Sequence, residues 1–438
     1  MNPFDYRSSE LFCEDVPLSS VADRFGTPAY VYSRARILEN FNRLERGLAG
    51  VAHLTCYSVK ANSNLRVLKL LREAGAGFDI VSGGELVRVR RVDADPKRVV
   101  FSGVGKTPQE MDAALEAGIL MFNVESEGEL DLIESRARSL GTRANIAIRV
   151  NPDVEAETHP YISTGQNIHK FGVPKEAAPA LYRRANASAH LNIRGIACHI
   201  GSQILQVEPF LKALDEILDV ARHLRAAGIE IEFLDLGGGF GIRYSAEQPL
   251  EFERLTQELT ARVRQAEAGE GEGTLSLGHS GGASHVPYRL IIEPGRSIVG
   301  DAGALLARVL YVKRGLKTFI VADAGMNDLM RPALYGSYHD VVPVCRPNTD
   351  EHGARRKILA DVVGPLCETG DFLARDRELP EVQSGDLLAV LTTGAYGYVL
   401  SSNYNTRPRP AEVMVDGSRA ELIRARQSVE ELLAGELP

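Results

Sequence analysis

Eight short apolar runs recur between residues 54 and 293, and each ends on or next to a polar or charged side chain. The runs are 54–59, 77–81, 99–104, 120–124, 145–150, 195–200, 231–236 and 289–293. None alternates cleanly between apolar and polar positions, the pattern of strands covered on both faces. Helical periodicity fills the gaps: Leu65, Leu68, Lys69 and Arg72 before Gly75, Met111, Ala114 and Leu115 before Gly118, and Leu211, Leu214, Leu218 and Val220 within 207–226. Eight strand-then-helix units over about 250 residues predict an α/β fold, a (β/α)8 TIM-type barrel. A doubly wound sheet also alternates strands and helices, but it does not need a polar residue at every strand's carboxyl end. Lys60, Asp79, Ser102, Asn123, Arg149, His199, Asp235 and Glu293 lie at or near those ends. A barrel gathers such positions at one mouth, where it places its chemistry. Capping of a strand rim explains any one of them well and all eight poorly.

After Arg296 the texture changes. Segments 305–313, 318–323, 357–363, 386–392 and 411–415 are strand-like, with turns at Asn348-Thr349-Asp350 and Asp416-Gly417. They predict a second, mostly antiparallel β domain of sandwich or barrel type. Residues 28–33 read as a further strand of it, making the domain discontinuous: 35–297 for the barrel, 1–34 and 298–438 for the β domain. The Gly/Ser-rich stretch 268–285 reads as a loop on the outside of the barrel.

A net charge of -8 and a pI near 5.8 argue against a nucleic-acid partner, since no basic face is left to neutralise phosphates. The five cysteines, Cys13, Cys56, Cys198, Cys345 and Cys367, contain no C-x-x-C pair. They read as reduced thiols, with no disulfide framework and no metal site. Residues 1–15 have neither a signal-peptide core nor an Arg-rich composition, and no run approaches the ~18 apolar residues of a membrane span. The expectation is a soluble cytoplasmic protein with no membrane partner.

Lys60 is the most demanding of the strand-end residues. Lysine is strongly hydrated and normally lies on a surface, yet here it directly follows Leu54-Thr55-Cys56-Tyr57-Ser58-Val59. A lysine at the tip of a buried strand is suited to form an imine with a carbonyl compound; the alternative is a side chain that snorkels from the strand end. Glu293, at the end of a much later strand, favours the first reading. Asp235-Leu236-Gly237-Gly238-Gly239-Phe240-Gly241 follows another strand. Its successive glycines let the backbone curl so that several N–H groups point to one spot, a nest suited to phosphate. The spacing is not G-x-G-x-x-G and no P-loop Lys-Ser/Thr follows, so dinucleotide and ATP readings are poor. Glu293-Pro294-Gly295-Arg296-Ser297 is a second phosphate-ready turn. Lysine, nest and carboxylate together meet the needs of pyridoxal 5'-phosphate (PLP): an amine for its aldehyde, donors for its phosphate, and an anion that keeps its pyridine nitrogen protonated. A protonated ring is the electron sink that decarboxylation requires. An arginine in that place suits racemases better.

These segments carry a resemblance to the fold-type III PLP-dependent decarboxylases, and within them to the diaminopimelate decarboxylases, over nearly the whole chain. They are Tyr57-Ser58-Val59-Lys60-Ala61-Asn62, 78–85, 102–107, Cys198-His199-Ile200-Gly201-Ser202-Gln203, the glycine turn, Glu293-Pro294-Gly295-Arg296, 323–335, Gly364-Pro365-Leu366-Cys367-Glu368-Thr369-Gly370-Asp371, Gly394-Ala395-Tyr396 and 401–405. The resemblance implies that Lys60 tethers the cofactor aldehyde, Glu293 pairs with the ring nitrogen and His199 stacks on the ring. It implies that Asp79, Ser202, Gly238, Gly239, Gly295, Arg296 and Tyr396 bind the cofactor, and that Cys367 is the acid that reprotonates the substrate carbon. An amino acid with a second amino acid group at its far end needs two distal receptors. Arg331 with Tyr335 and Arg296 would supply the carboxylate receptor; Glu368 would supply the ammonium receptor, and Tyr396 would also line the substrate site. The resemblance further implies a homodimer in which the Cys367-Glu368 segment completes the partner's site. A relative acting on another basic or D-amino acid, and a catalytically silent PLP carrier, are the alternatives.

Overall fold

The computed structural model describes residues 3–154, 170–272, 286–346 and 356–437. The chain forms two compact units, one of 41–241 with 248–295, the other of 1–40 with 242–247 and 296–438.

The first unit is the expected barrel. Its strands are β1 (His53–Ser58), β2 (Gly77–Ile80), β3 (Val99–Phe101), β4 (Met121–Val124), β5 (Ala144–Asn151), β6 (Leu191–Ala197), β7 (Phe233–Asp235) and β8 (Arg289–Ile292). Each pairs in parallel with the next in this order, and β8 returns to β1 through Leu290↔His53, Ile291↔Leu54 and Ile292↔Thr55. The sheet therefore closes, which excludes the doubly wound alternative. Closure also removes both edges, leaving no unpaired strand. Seven of the strands feed one buried cluster: Leu54 and Cys56, Val100, Met121, Ala147, Ala197, Phe233 and Ile291, joined by Leu120. A closed barrel brings residues from so many strands into one contacting cluster, because its inner face curves back on itself.

Several strands are shorter than their apolar runs. β3 ends at Phe101, so Ser102 begins a loop, and β1 ends at Ser58, so Lys60 stands in the single turn Val59–Ala61. The helices that follow start promptly because the sequence supplies caps. Asn64, Ser82, Thr107 and Ser126 each accept a backbone N–H of the first helical turn, Thr107 in a capping box with Glu110. The predicted stop at Gly118 is a left-handed C-cap.

The eight strand-then-helix units need one revision. After the last strand comes only the single helical turn Arg296–Val299, and a full-length helix instead precedes the first strand, as Arg34–Leu48. Its Gly47 sits so close to Thr256 of the Phe252–Glu272 helix that a Cβ would fall 2.4 Å from the Thr256 hydroxyl oxygen. Residues 268–272 of the supposed glycine-rich loop extend that helix. The rest of the loop, 273–285, and the turn at Asn348-Thr349-Asp350 lie outside the described residues.

In the second unit, Gly303–Arg314 pairs antiparallel with Thr318–Ala322, Leu387–Val390 and Ala29–Ser33. The strand expected at 28–33 thus belongs to this sheet. Two pairings are parallel, Thr318–Ala322 with Lys357–Val363 and Ala411–Asp416 with Ala29–Ser33, so the sheet is mostly and not wholly antiparallel. Sequence pattern missed the charged strand Phe372–Pro380 and the small N-terminal sheet Phe4–Arg7, Glu10–Cys13 and Val16–Pro17. Among the described residues no helix is long and apolar enough to cross a membrane.

Phe233 tests the barrel core. It is 1% exposed, and Phe233→Ala is expected to cost about 3–5 kcal/mol through lost burial and a residual cavity. An unchanged denaturant midpoint would show that the interior does not depend on it.

Candidate active site

The carboxyl ends of the barrel strands bring Lys60, Asp79, Ser102, Asn123, Asp235 and Glu293 together. Lys60 Nζ lies 3.0 Å from Asp79 Oδ2, and Ser58 Oγ lies 2.8 Å from the same oxygen and 3.0 Å from the Glu293 carbonyl. Asp79 is fully buried, whereas the Lys60 side chain keeps 37% exposure. Lys60 is therefore less enclosed than a strand-tip position implied, because the turn after β1 lifts it out of the barrel wall. Its amine is held by an acid and still accessible.

A second layer of polar contacts fixes the other acids. Asn123 Nδ2 lies 2.8 Å from Asp235 Oδ2, 3.1 Å from Ser102 Oγ and 3.3 Å from Glu293 Oε1. Ser102 Oγ is also 3.3 Å from Glu293 Oε1, and Asp235 Oδ1 accepts the Gly237 N–H at 3.0 Å. Burial, with Asp235 and Asp79 as like-charged neighbours, holds the Glu293 carboxyl well above the usual carboxylate range. Burial likewise pushes Asp235 up to about 6, opposed by its bonds from Asn123 and Gly237. Three buried carboxyls at one mouth favour protonation or a neighbouring cation.

His199 Nδ1 accepts the Gly238 N–H at 3.0 Å, so in the neutral ring the proton resides on Nε2. Burial, together with Arg149 and Lys60, depresses its pKa well below 6.5 and keeps the imidazole neutral. Arg149 is itself paired to Glu125 at 2.8 Å. The glycine turn permits these approaches. A Cβ on Gly238 would fall 2.1 Å from the Glu293 carbonyl oxygen, and Gly237 has φ +70 and abuts His199. The nest is narrower than the sequence implied, because the Gly237 and Gly238 N–H groups are spent on Asp235 and His199. Only the Gly239 N–H of the three lacks a protein partner among the described residues. Gly295 packs against the Lys60 turn, where a Cβ would meet Ala61 at 2.8 Å. Ser202 follows β6 and is half-buried.

These groups fit PLP. An accessible amine stands beside a buried acid cluster in need of a cation, a neutral imidazole lies close by, and the Gly239 N–H is left for an anion.

Arg296, Arg331, Tyr335, Tyr396, Cys367 and Glu368 belong to the second unit. Arg296 and Arg331 are both buried around Tyr244. Arg296 Nη1 donates to the Tyr244 hydroxyl at 2.7 Å, and its guanidinium lies 4.9 Å from the Tyr396 ring centre. Arg331 opens the short helix Arg331–Tyr335 and donates to His339 at 3.0 Å. Cys367 and Glu368 are exposed. The Cys367 N–H donates to Asn405 Oδ1 at 3.2 Å, and the Tyr404 hydroxyl lies 3.3 Å from Glu368. Sequence reasoning missed Tyr244 and His339. The only signal was position, Tyr244 just past the glycine turn and His339 four residues after Tyr335.

Barrel, β domain and lysine-plus-acid mouth define a PLP-dependent decarboxylase architecture. Residues 34–300 match the family model for the pyridoxal-binding domain of pyridoxal-dependent decarboxylases. The chain is 51% identical over 437 residues to the diaminopimelate decarboxylase of Pseudomonas aeruginosa, covering 100% of this chain and 99% of that one. It superposes with a TM-score of 0.87 and 38% identity on the Helicobacter pylori diaminopimelate decarboxylase complexed with L-lysine, over 95% of this chain and 98% of that one. For the M. jannaschii enzyme in co-complex with L-lysine the TM-score is 0.89 at 36% identity, over 100% and 98% of the two chains. The chain belongs to the diaminopimelate decarboxylase family.

The acid cluster makes stability depend on pH. A carboxyl whose pKa rises on folding stabilises the fold below its unfolded value of 3.8 and loses that contribution as pH climbs through its folded value, about 6 for Asp235. In the cofactor-free chain, Asp235→Asn is expected to flatten the decline in Tm between about pH 4 and about pH 7 by the equivalent of roughly 2 kcal/mol. Parallel profiles for the two proteins would show that the cluster does not titrate as described.

Proposed function

We propose that this chain decarboxylates meso-2,6-diaminopimelate to L-lysine and carbon dioxide, the last step of lysine biosynthesis, in the cytoplasm. The observation that carries this reading is Lys60 beside the buried acids Asp79, Asp235 and Glu293, on a chain half identical along its length to a diaminopimelate decarboxylase. When bound, PLP supplies an aldehyde that couples to an amine and a ring that accepts the electron pair released as carbon dioxide leaves. Lys60 holds the aldehyde, and Asp79 keeps its amine in place between turnovers. Glu293, oriented by Asn123 and Ser102, would face the ring nitrogen, whose positive charge would stabilise the carboxylate that burial alone disfavours. His199, locked by Gly238, offers a flat uncharged face for stacking. Ser202, Gly239 and Gly295 would serve the phosphate end, with Gly238 holding His199 in place beside them.

Arg331, Arg296 and Tyr335 receive the distal carboxylate, since a guanidinium and a hydroxyl bind it by charge-assisted hydrogen bonds. Glu368 receives the distal ammonium and Tyr396 helps line the substrate. Arg331 favours diaminopimelate over a plain basic amino acid, for which a buried guanidinium would stay an unmatched charge. Cys367 delivers a proton from Sγ to the carbon that lost its carboxylate. Cys367 and Glu368 are both exposed in the single chain. That is the arrangement required if they complete the site of the other subunit in a homodimer.

Incubation with the separated LL, DD and meso isomers is expected to yield L-lysine from meso alone; silence on all three would remove the assignment. Arg331→Ala is expected to lower kcat/KM for the meso isomer by roughly 100-fold or more. An unchanged value would move the substrate to another amino acid.

A further inference from the structure

Arg331 is held in an unusual way. A buried guanidinium normally faces a carboxylate. Here the hydrogen-bond acceptor on Nη1 is His339 Nε2 at 3.0 Å, on a side chain that is 0% exposed. The other ring nitrogen, Nδ1, lies 2.9 Å from the Leu391 carbonyl oxygen, which can only accept. Nδ1 therefore carries the proton and Nε2 presents its lone pair to Arg331. Tyr244 packs edge-on against the imidazole, ring centres 5.4 Å apart, and the Arg331 guanidinium lies 4.8 Å from the centre of the same ring. Burial, reinforced by Arg331, pushes the His339 pKa down to about 3. At neutral pH the ring is therefore uncharged.

We infer that His339 is a positioning residue for substrate selection: it fixes Arg331 in direction through an uncharged acceptor, so that the guanidinium keeps its full positive charge for the carboxylate of a ligand. A glutamate in its place would orient the arginine equally well but would satisfy its charge internally. The inference rests on the proposed role of Arg331 as the distal carboxylate receptor. It adds the reason that this receptor selects for an anion and is not consumed as a structural ion pair.

Glutamine and glutamate have the same shape, and both can accept from Arg331, so their comparison isolates charge. L-lysine keeps the distal carboxylate and 1,5-diaminopentane lacks it; titration of each into the PLP-loaded protein reads the receptor without turnover. His339→Gln is expected to bind L-lysine within about 3-fold of the unaltered protein. His339→Glu is expected to weaken L-lysine about 30-fold or more, with 1,5-diaminopentane shifted by less than about 3-fold. With meso-diaminopimelate the same change is expected to appear mainly in KM. Equal L-lysine affinity in the Gln and Glu variants, or equal weakening of both ligands by Glu, overturns the inference while leaving the proposed reaction in place. A protein that before substitution shows no preference for L-lysine over 1,5-diaminopentane overturns the role of Arg331 and the inference with it.

Discussion

The barrel mouth is organised around one electrostatic conflict. Asp79, Asp235 and Glu293 are buried at one mouth, Asn123 lies within hydrogen-bonding reach of the last two, and Lys60 brings a cation to Asp79. Such a cluster is costly unless its charge is shared with a proton or a cation. Asn123 and Ser102 spread the cost by donating to the acids, and the rigid closed sheet prevents the carboxyls from moving apart. The conflict is thus built into the fold, and a protonated pyridine nitrogen is the kind of group that resolves it. A site that stores this disfavoured charge binds a cationic ring more strongly than a relaxed one.

The second unit handles charge in the opposite sense. Arg296 and Arg331 are buried around Tyr244, Arg296 bonding to its hydroxyl and Arg331 bonding to His339. Aromatic faces and neutral acceptors orient a guanidinium without cancelling it. Both units therefore use neutral polar groups to hold a buried charged side chain in direction.

Much of this was legible in the chain. The period of strands and helices, the glycine stops and the Asn, Ser and Thr caps are local properties, and they reproduced the barrel. Lys60 and Glu293 stood out because a charged residue beside an apolar run needs a reason. What failed to show was of two kinds. Charged strands such as Phe372–Pro380 carry no clean alternation, since much of their length is exposed. The position of the Arg34–Leu48 helix in the ring cannot be read from order along the chain, because a closed barrel has no first unit.

Which elements form, where they stop, and which residue types stand at the strand ends follow from the order of residues, because propensity, capping and hydrophobic period act over a few neighbouring residues. Which of those residues meet depends on how the elements pack. The sharing of Asn123 between Asp235 and Glu293, the loss of the Gly238 N–H to His199, and the choice of His339 as the acceptor for Arg331 all join residues from different elements. Charge, direction and protonation at such contacts depend on distances of a few ångströms across the fold, which no local pattern encodes.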